Sequence, residues 1–88
     1  MSNLAKAIGA MIQTGAIKFQ AFSWCFGIVD FYVTSGVFTD KEFQTSVLED
    51  DWNGGPKHAV AIELADLVEK GLIEFAPIDE WHGVIRSE

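Results

Sequence analysis

The stretch from Ile17 to Val33, IKFQAFSWCFGIVDFYV, decides the fold class, because apolar residues occupy almost every side of it. The apolar residues fall on two faces at helical steps: Phe19, Phe22, Phe26, Val29 and Val33, then Trp24, Ile28 and Phe31. The polar residues also step by three and four: Gln20, Ser23, Gly27, Asp30 and Thr34. This spacing predicts a helix, helix B, that is buried at the centre of the fold or by a partner subunit.

A membrane span is the competing interpretation of helix B. The uncharged run between Lys18 and Asp30 is far shorter than the roughly 20 residues that cross a bilayer, and a longer span would bury one of those charges. The periodic polar stripe favours protein surroundings, so we expect no membrane association.

The residues before helix B predict a second amphipathic helix, helix A, from Asn3 to about Thr14. Its apolar stripe is formed by Leu4, Ile8, Met11 and Ile12. Ser2 or Asn3 can cap its first free N–H groups, and Gly15 can end it. Residues 1–36 are therefore expected to form two apolar helices, A and B, which supply the core and can also form a homodimer seam.

After helix B, the sequence Thr39-Asp40-Lys41-Glu42 has the form of a capping box. Phe38 before it and Phe43 after it have the spacing of a hydrophobic staple. The pattern predicts helix C from Asp40 to about Glu49, with acids at its carboxyl end opposing the helix dipole. Residues 51–55, DWNGG, are then expected to form a turn.

Helix D is marked at both ends, by Pro56 at its first position and Gly71 just beyond its last. After Gly71 the apolar period shifts toward two, and a turn at residues 77–80 separates two short runs. This predicts a β-hairpin, with a short helix from Ile78 to Val84 as the alternative. We therefore expect one mainly α domain over residues 1–88, with four helices and a C-terminal hairpin.

Residues 64–74, LADLVEKGLIE, followed by Gly83-Val84-Ile85-Arg86, resemble the end of winged-helix domains of MarR-type regulators. Residues 38–43, FTDKEF, are similar to the "L-T-x-x-E-L" opening of the preceding helix in those families. The resemblance covers about Val29 to Arg86. It implies a winged-helix-like unit over residues 37–88 and, as one possible function, a dimeric transcription regulator that binds DNA.

Charge argues against that function. Residues 1–36 carry Lys6, Lys18 and Asp30, a net +1, whereas residues 37–88 carry four basic and twelve acidic groups, a net −8. In the resembling regulators helix D would face DNA, but here its exposed positions include Ile62, Glu63, Asp66 and Glu69. The second half of the chain is therefore expected to repel phosphate.

Two tryptophans lie among these acids, Trp52 and Trp81. Aromatic anchors within a charged rim are typical of protein interfaces, although each ring could equally cover one end of a small core. The expected partner-binding residues are Glu49, Asp50, Asp51, Trp52, Glu63, Asp66, Glu69, Asp79, Glu80 and Trp81. In the DNA-binding alternative, the contacts are Lys57, His58, Lys70 and Arg86.

The first functional hypothesis is therefore an acidic protein-protein interaction module that binds a basic protein surface. One version is an inhibitor, such as a virus-encoded one, that places carboxylates where nucleic-acid phosphates would lie. The DNA-binding regulator is the second hypothesis.

Residue chemistry offers little for catalysis. The segment from Asn53 to His58 could bind an anion at a helix start, but it is equally the composition of a turn, and the turn is preferred. Metal-ligand spacing is lacking, and Cys25 is expected to be inert core within helix B. We expect no enzyme activity, metal or cofactor. With a single cysteine and no signal peptide, the sequence fits the cytoplasm.

Overall fold

The computed structural model describes residues 2–77, and these form an α+β fold. The elements, in chain order, are α1 (Asn3–Thr14), β1 (Ile17–Cys25), β2 (Ile28–Ser35), β3 (Glu42–Leu48), α2 (Glu49–Gly54) and α3 (Pro56–Glu69). The strands form one antiparallel sheet in the order β1-β2-β3, and α1 packs against α3 on one side of it. The expectation of a mainly α fold with four helices and a small hairpin is therefore wrong.

Helix B is replaced by the hairpin of β1 and β2. The two strands pair from Ile17 opposite Ser35 to Cys25 opposite Ile28. On β2, Val29, Phe31 and Val33 are fully buried and alternate with exposed or half-buried residues. β-branched and aromatic side chains pack well on a pleated surface, so these residues favour a strand that faces a core. The expected homodimer seam through helices A and B therefore cannot form as predicted, because helix B is a pair of strands.

A β-bulge at Phe22 contributes to the helical appearance of this stretch. The register of β1 against β2 shifts between Ala21 and Ser23, and Phe22 has no opposite residue. Residues before and after a bulge change phase relative to the sheet, so one strand shows no continuous period of two. The resulting apolar spacing of three and four imitates a helix.

Helix C is also wrong, because Glu42–Leu48 form β3. The Thr39 N–H and hydroxyl donate to the Glu74 carbonyl oxygen, at 2.9 and 3.5 Å, instead of capping a helix. The expected contact between Phe38 and Phe43 is present, with ring centroids 5.8 Å apart, but it joins β3 to the loop before it. A capping box and a staple are local patterns, and here the pairing of β3 with β2 prevails over them.

The expected turn over residues 51–55 is largely helical, since α2 spans Glu49–Gly54. Glu49, Asp50 and Asp51 therefore lie in the first turn of α2 and not at the carboxyl end of helix C. Negative side chains at a helix amino terminus are stabilised by the helix dipole.

Helices A and D are confirmed as α1 and α3. The Ala5 N–H donates to Ser2 Oγ at 3.1 Å, and Gly15 follows α1 with a positive φ of 87°. α3 begins with Pro56, and beyond its end Gly71 has a φ of 74° while the Leu72 N–H donates to the Leu67 carbonyl oxygen. These ends are recognisable in sequence because each depends on one residue type. None of the helices within residues 2–77 is long and apolar enough to cross a bilayer.

The core lies between the two helices and one face of the sheet. Ile8 and Ile12 of α1 and Leu64 of α3 meet Phe31 and other buried residues of β2 there. After α3, Phe75 forms an isolated bridge with Phe38, and their rings stack at 5.2 Å. The rest of the expected wing, and the alternative helix from Ile78 to Val84, fall outside the described residues.

Alanine at two glycines, Gly9 within α1 and Gly15 just after it, should change the free energy of unfolding in opposite directions. A Cβ at Gly9 would lie 3.8 Å from the Ala61 Cβ, an ordinary contact, so Gly9→Ala should raise the free energy of unfolding by about 0.5–1 kcal/mol. Gly15→Ala has space but places a side chain at positive φ, and it should lower that energy by about 1–2 kcal/mol. Urea unfolding of both variants measures the two changes, and equal signs would contradict the prediction.

Candidate interaction surface at the hairpin end

The turn between β1 and β2 exposes an aromatic side chain. Phe26 and Gly27 form a two-residue connection, with φ of 56° and 76°, between the paired residues Cys25 and Ile28. Positive φ at both positions is typical of the tight hairpin turns that usually contain Asn-Gly or Asp-Gly. Phe26 is 98% exposed, so neither its backbone conformation nor its ring is favoured by packing.

The acidic turn of α2 lies directly beside this hairpin turn. Leu48 ends β3 and Glu49 begins α2, with no loop between them. The Glu49 N–H donates to the Gly27 carbonyl oxygen at 2.8 Å. This hydrogen bond places the acids Glu49, Asp50 and Asp51 next to Phe26 at one end of the molecule.

Trp52 fixes α2 to the core. Its ring lies 5.6 Å from the ring of Phe19, 5.7 Å from that of Phe31 and 6.4 Å from that of Trp24. Trp52 is half-buried by these contacts, so of its two expected roles the structure places it as a cover for one end of the core. Trp24, expected to be buried in helix B, is instead 54% exposed.

We call this region the hairpin end and define it by two kinds of side chain. Its exposed apolar residues are Trp24, Phe26, Ile28 and Leu48, and its acids are Glu49, Asp50 and Asp51. Leu48 is 60% exposed and lies opposite Ile28 in the sheet. These exposed apolar residues thus share one end of the molecule with three carboxylates.

A cleft of about 550 Å³ runs from the hairpin end along the outer edge of β3 toward α3. Its apolar lining includes Ile28, Val47, Leu48 and Ile62, and its polar lining includes Asp50, Asp51, His58 and Glu63. The Glu63 carboxylate accepts a hydrogen bond of 2.9 Å from the Thr45 hydroxyl, which fixes its position. The cleft therefore has apolar walls and an acidic rim.

The expected partner-binding residues of α3 do not all join this surface. Asp66 forms an ion pair of 2.8 Å with Lys70, one turn further along α3. The hydrogen bond and the charge of Asp66 raise the pKa of Lys70, so the Lys70 ammonium group stays protonated at neutral pH. Glu69 is exposed near the end of α3, away from the cleft lining. Asp79, Glu80 and Trp81 lie outside the described residues.

The basic residues of the DNA-binding alternative are spread over α3. Lys57 at its start donates to Gln13 on α1 at 3.4 Å, His58 lines the acidic cleft, and Lys70 is paired with Asp66 at the far end. Arg86 lies outside the described residues. Lys57, His58 and Lys70 therefore do not form one positive stripe.

The remaining chemistry is limited. Within residues 2–77, no group of three or more His, Cys, Asp or Glu side chains is arranged to hold a metal ion. Cys25 is an exposed free thiol beside the hairpin turn, so its expected place in the core is wrong.

No protein-family model, curated protein or solved structure matches this chain. The resemblance to winged-helix regulators therefore stays an expectation from sequence. The candidate site depends on geometry alone.

Sequence reasoning identified the three acids of α2 but missed Trp24, Phe26, Ile28 and Leu48. The first three were assigned to apolar faces of helix B, and Leu48 fell within helix C. The available signal was Phe26-Gly27 between two apolar runs, since Gly suits positive φ at the second turn position. Phe at the first position hid this signal, because a β-branched or bulky residue is a rare occupant of that conformation.

Proposed function

We propose that this chain is a small acidic protein-protein interaction module or inhibitor, and that its hairpin end docks on a basic surface of another protein. One observation supports this most: Phe26 is almost fully exposed, in a left-handed backbone conformation, beside three carboxylates. A turn selected for stability alone would contain Asn, Asp or Gly there. Strain of this kind is often retained at functional sites.

The side chains of the hairpin end define the chemistry of the partner. Phe26, flanked by Trp24 and Leu48, fits an apolar recess, where an aromatic anchor contributes most of its affinity on losing water. Glu49, Asp50 and Asp51 fit a rim of Lys or Arg side chains around that recess. The carboxylates accelerate the encounter and reject acidic surfaces.

The cleft beside β3 extends this surface. A Lys or Arg side chain has an apolar stem and a charged head. In the cleft, the stem would lie on Leu48 and Ile62 while the head reaches Asp50, Asp51 or Glu63. The cleft thus suits a second basic residue of the same partner.

A basic groove that normally holds nucleic acid is one surface of this kind. The carboxylates of α2 would then occupy positions that phosphates take. A cytoplasmic setting belongs to this proposal, because the single cysteine cannot form a disulfide within the chain.

Phe26→Asn should strongly weaken partner binding while making the fold more stable. Asn tolerates the left-handed conformation, so the free energy of unfolding should rise by about 1 kcal/mol. Loss of the aromatic anchor should weaken binding by at least about thirtyfold, the size of a typical hot spot. Asp50→Lys with Asp51→Lys should also strongly weaken binding. Affinity capture from the native host, with partner identification by mass spectrometry, followed by titration of that partner, measures both effects.

Matched controls lie elsewhere on the surface. Leu72 is an exposed apolar residue and Glu69 an exposed acid, both outside the hairpin end, so Leu72→Asn and Glu69→Lys should leave binding unchanged. Partner binding that survives Phe26→Asn and the double lysine variant would reject the hairpin end. Binding of the unmodified chain to mixed duplex DNA at low salt, with no protein captured, would favour the regulator instead.

A further inference from the structure

The side of the sheet that faces away from α1 and α3 is not covered by any element within residues 2–77. We call it the outer face. In antiparallel pairs, residues directly opposite one another point to the same side, so the register gives the outer face as rows across the three strands. From one end to the other, these rows are Lys18–Thr34–Glu42, Gln20–Tyr32–Gln44, Ser23–Asp30–Ser46 and Cys25–Ile28–Leu48.

The outer face carries more apolar surface than a solvated sheet needs. Phe22 from the bulge stacks on Tyr32 with ring centroids 4.2 Å apart, and both rings remain about half exposed. Ile28 and Leu48 add an exposed apolar pair near the hairpin end. Antiparallel sheets with one solvated side usually place polar residues there, so this face is suited to contact with another surface.

The charges on the outer face show which surface fits. The first row has Lys18 on β1 and Glu42 on β3, on opposite sides of β2. Neither forms an ion pair with another of the described residues. One edge of this end of the face is therefore positive and the other negative, which is the pattern of a surface complementary to itself.

Two kinds of two-fold axis can place one outer face on a second copy. An axis along β2 puts β1 of one copy over β3 of the other and keeps each row against the same row. Lys18 then faces the partner's Glu42, twice by symmetry, and the aromatic row faces itself. An axis across the strands would instead put Lys18 and Glu42 over the apolar row of Cys25, Ile28 and Leu48. The two Lys18–Glu42 contacts favour the axis along β2, which also brings Asp30 against the partner's Asp30.

We propose that two copies of this chain associate through their outer faces, about a two-fold axis along β2, with Lys18 of each copy against Glu42 of the other. This inference goes beyond the proposed function. The outer face shares Ile28 and Leu48 with the hairpin end, whereas Lys18 and Glu42 lie outside the hairpin end. Packed sheets lie about 10 Å apart with their strands within about 30° of each other, a rotation that a Lys side chain can span.

The area available limits the strength of this dimer. Three strands of seven to nine residues can bury on the order of 1,000 Å² in total from two copies, the lower limit for a specific interface. The dimer should therefore dissociate on dilution through the micromolar range.

A charge exchange tests the proposal. Lys18→Glu and Glu42→Lys should each weaken the dimer at least about tenfold, because each turns two attractive contacts into repulsive ones. The double variant should restore the original affinity. Sedimentation velocity over a range of concentrations measures these constants, and circular dichroism checks that each variant folds.

Two controls distinguish loss of the contact between Lys18 and Glu42 from a change in net charge. Lys6→Glu on α1 and Glu69→Lys on α3 make the same changes in net charge outside the outer face and should leave the dimer unchanged. A further variant should have the opposite effect on dimer affinity. On this axis Asp30 faces the partner's Asp30, so Asp30→Asn should strengthen the dimer. Substitution of Glu42 and substitution of Asp30, two acids on the outer face, should thus change the affinity of the dimer in opposite directions.

Three results would overturn the proposal. One is a chain that stays monomeric at the highest concentration. The outer face would then have another occupant, such as residues 78–88. Another is a dimer that ignores the charge exchange. The third is a dimer lost on reduction or in Cys25→Ser, because Cys25 faces the partner's Leu48 and lies too far from the partner's Cys25 for a disulfide. Lys18 and Glu42 lie at the end of the sheet opposite Phe26, so partner capture through the hairpin end is tested separately by Phe26→Asn.

Discussion

Phe31→Ala should lower the free energy of unfolding by about 3–5 kcal/mol, the largest effect expected of a single change in this chain. Phe31 lies at the centre of β2 and is fully buried. Its ring centroid lies 6.1 Å from that of Phe19 and 5.7 Å from that of Trp52. Removing its ring leaves a cavity under α2 that the sheet cannot close. A chain of this size has only a few kcal/mol of stability, so the variant should be largely unfolded at 37 °C.

Urea unfolding followed by tryptophan fluorescence measures this loss, since Trp52 lies against the altered site. Phe26→Ala is the matched control, because the same side chain is removed from a position that is almost fully exposed. Phe26→Ala should leave the free energy of unfolding unchanged. If Phe31→Ala does not fold well enough to measure, Phe31→Leu should still lose about 1–2 kcal/mol. Equal stabilities of Phe31→Ala and Phe26→Ala would contradict the arrangement of the core.

Ser35→Ala should lower the free energy of unfolding by about 2–4 kcal/mol. The Ser35 hydroxyl is buried at the end of β2, donates to the Ala16 carbonyl oxygen at 2.8 Å and accepts from the Val37 N–H at 2.9 Å. It thereby joins the loop before β1 to the loop after β2. Alanine fits the space but leaves two buried backbone groups without a partner, and that desolvation is the main cost.

Ser46→Ala is the matched control for this change. Ser46 lies on the outer face of β3 and its hydroxyl has no hydrogen-bond partner among the described residues, so its loss should change stability by less than about 0.5 kcal/mol. Chemical denaturation of both variants gives the difference. Ser35→Ala as stable as Ser46→Ala would show that the hydroxyl does not bridge the two loops.

The two long helices could be predicted from sequence because their signals are local. Ser2 and Gly15 mark α1, and Pro56 and Gly71 mark α3, each through a backbone requirement that one residue type meets. Nothing beyond a few neighbouring residues is needed to recognise them. The structure accordingly agrees with both helices to within two residues.

The sheet could not be predicted in the same way, because its signals depend on distant residues. The outer face carries Phe22, Ile28 and Tyr32, so β1 and β2 lack the polar side that normally reveals a strand. The bulge then shifts the phase, and Phe26 hides the turn. For β3, a local capping pattern favoured a helix, whereas pairing with β2 decides the structure.

The same distinction applies to the candidate site. Glu49, Asp50 and Asp51 were identified from charge, which needs no fold. Their position at the start of α2, beside Phe26, depends on the hydrogen bond from Glu49 to Gly27, which joins residues far apart in sequence. Composition therefore gave the expectation of a basic partner, while only the topology showed which apolar residues accompany the acids.

The bulge at Phe22 has a further consequence for solubility. Among the described residues β1 is an edge strand, and a regular, aromatic-rich edge is a template on which other chains add strands and grow into fibrils. An unpaired residue in the middle of such a strand bends and twists it, so a straight incoming strand cannot match its hydrogen-bonding groups along the whole length. The irregularity that disguises this strand in the sequence thus makes the β1 edge a poor template for amyloid-like growth.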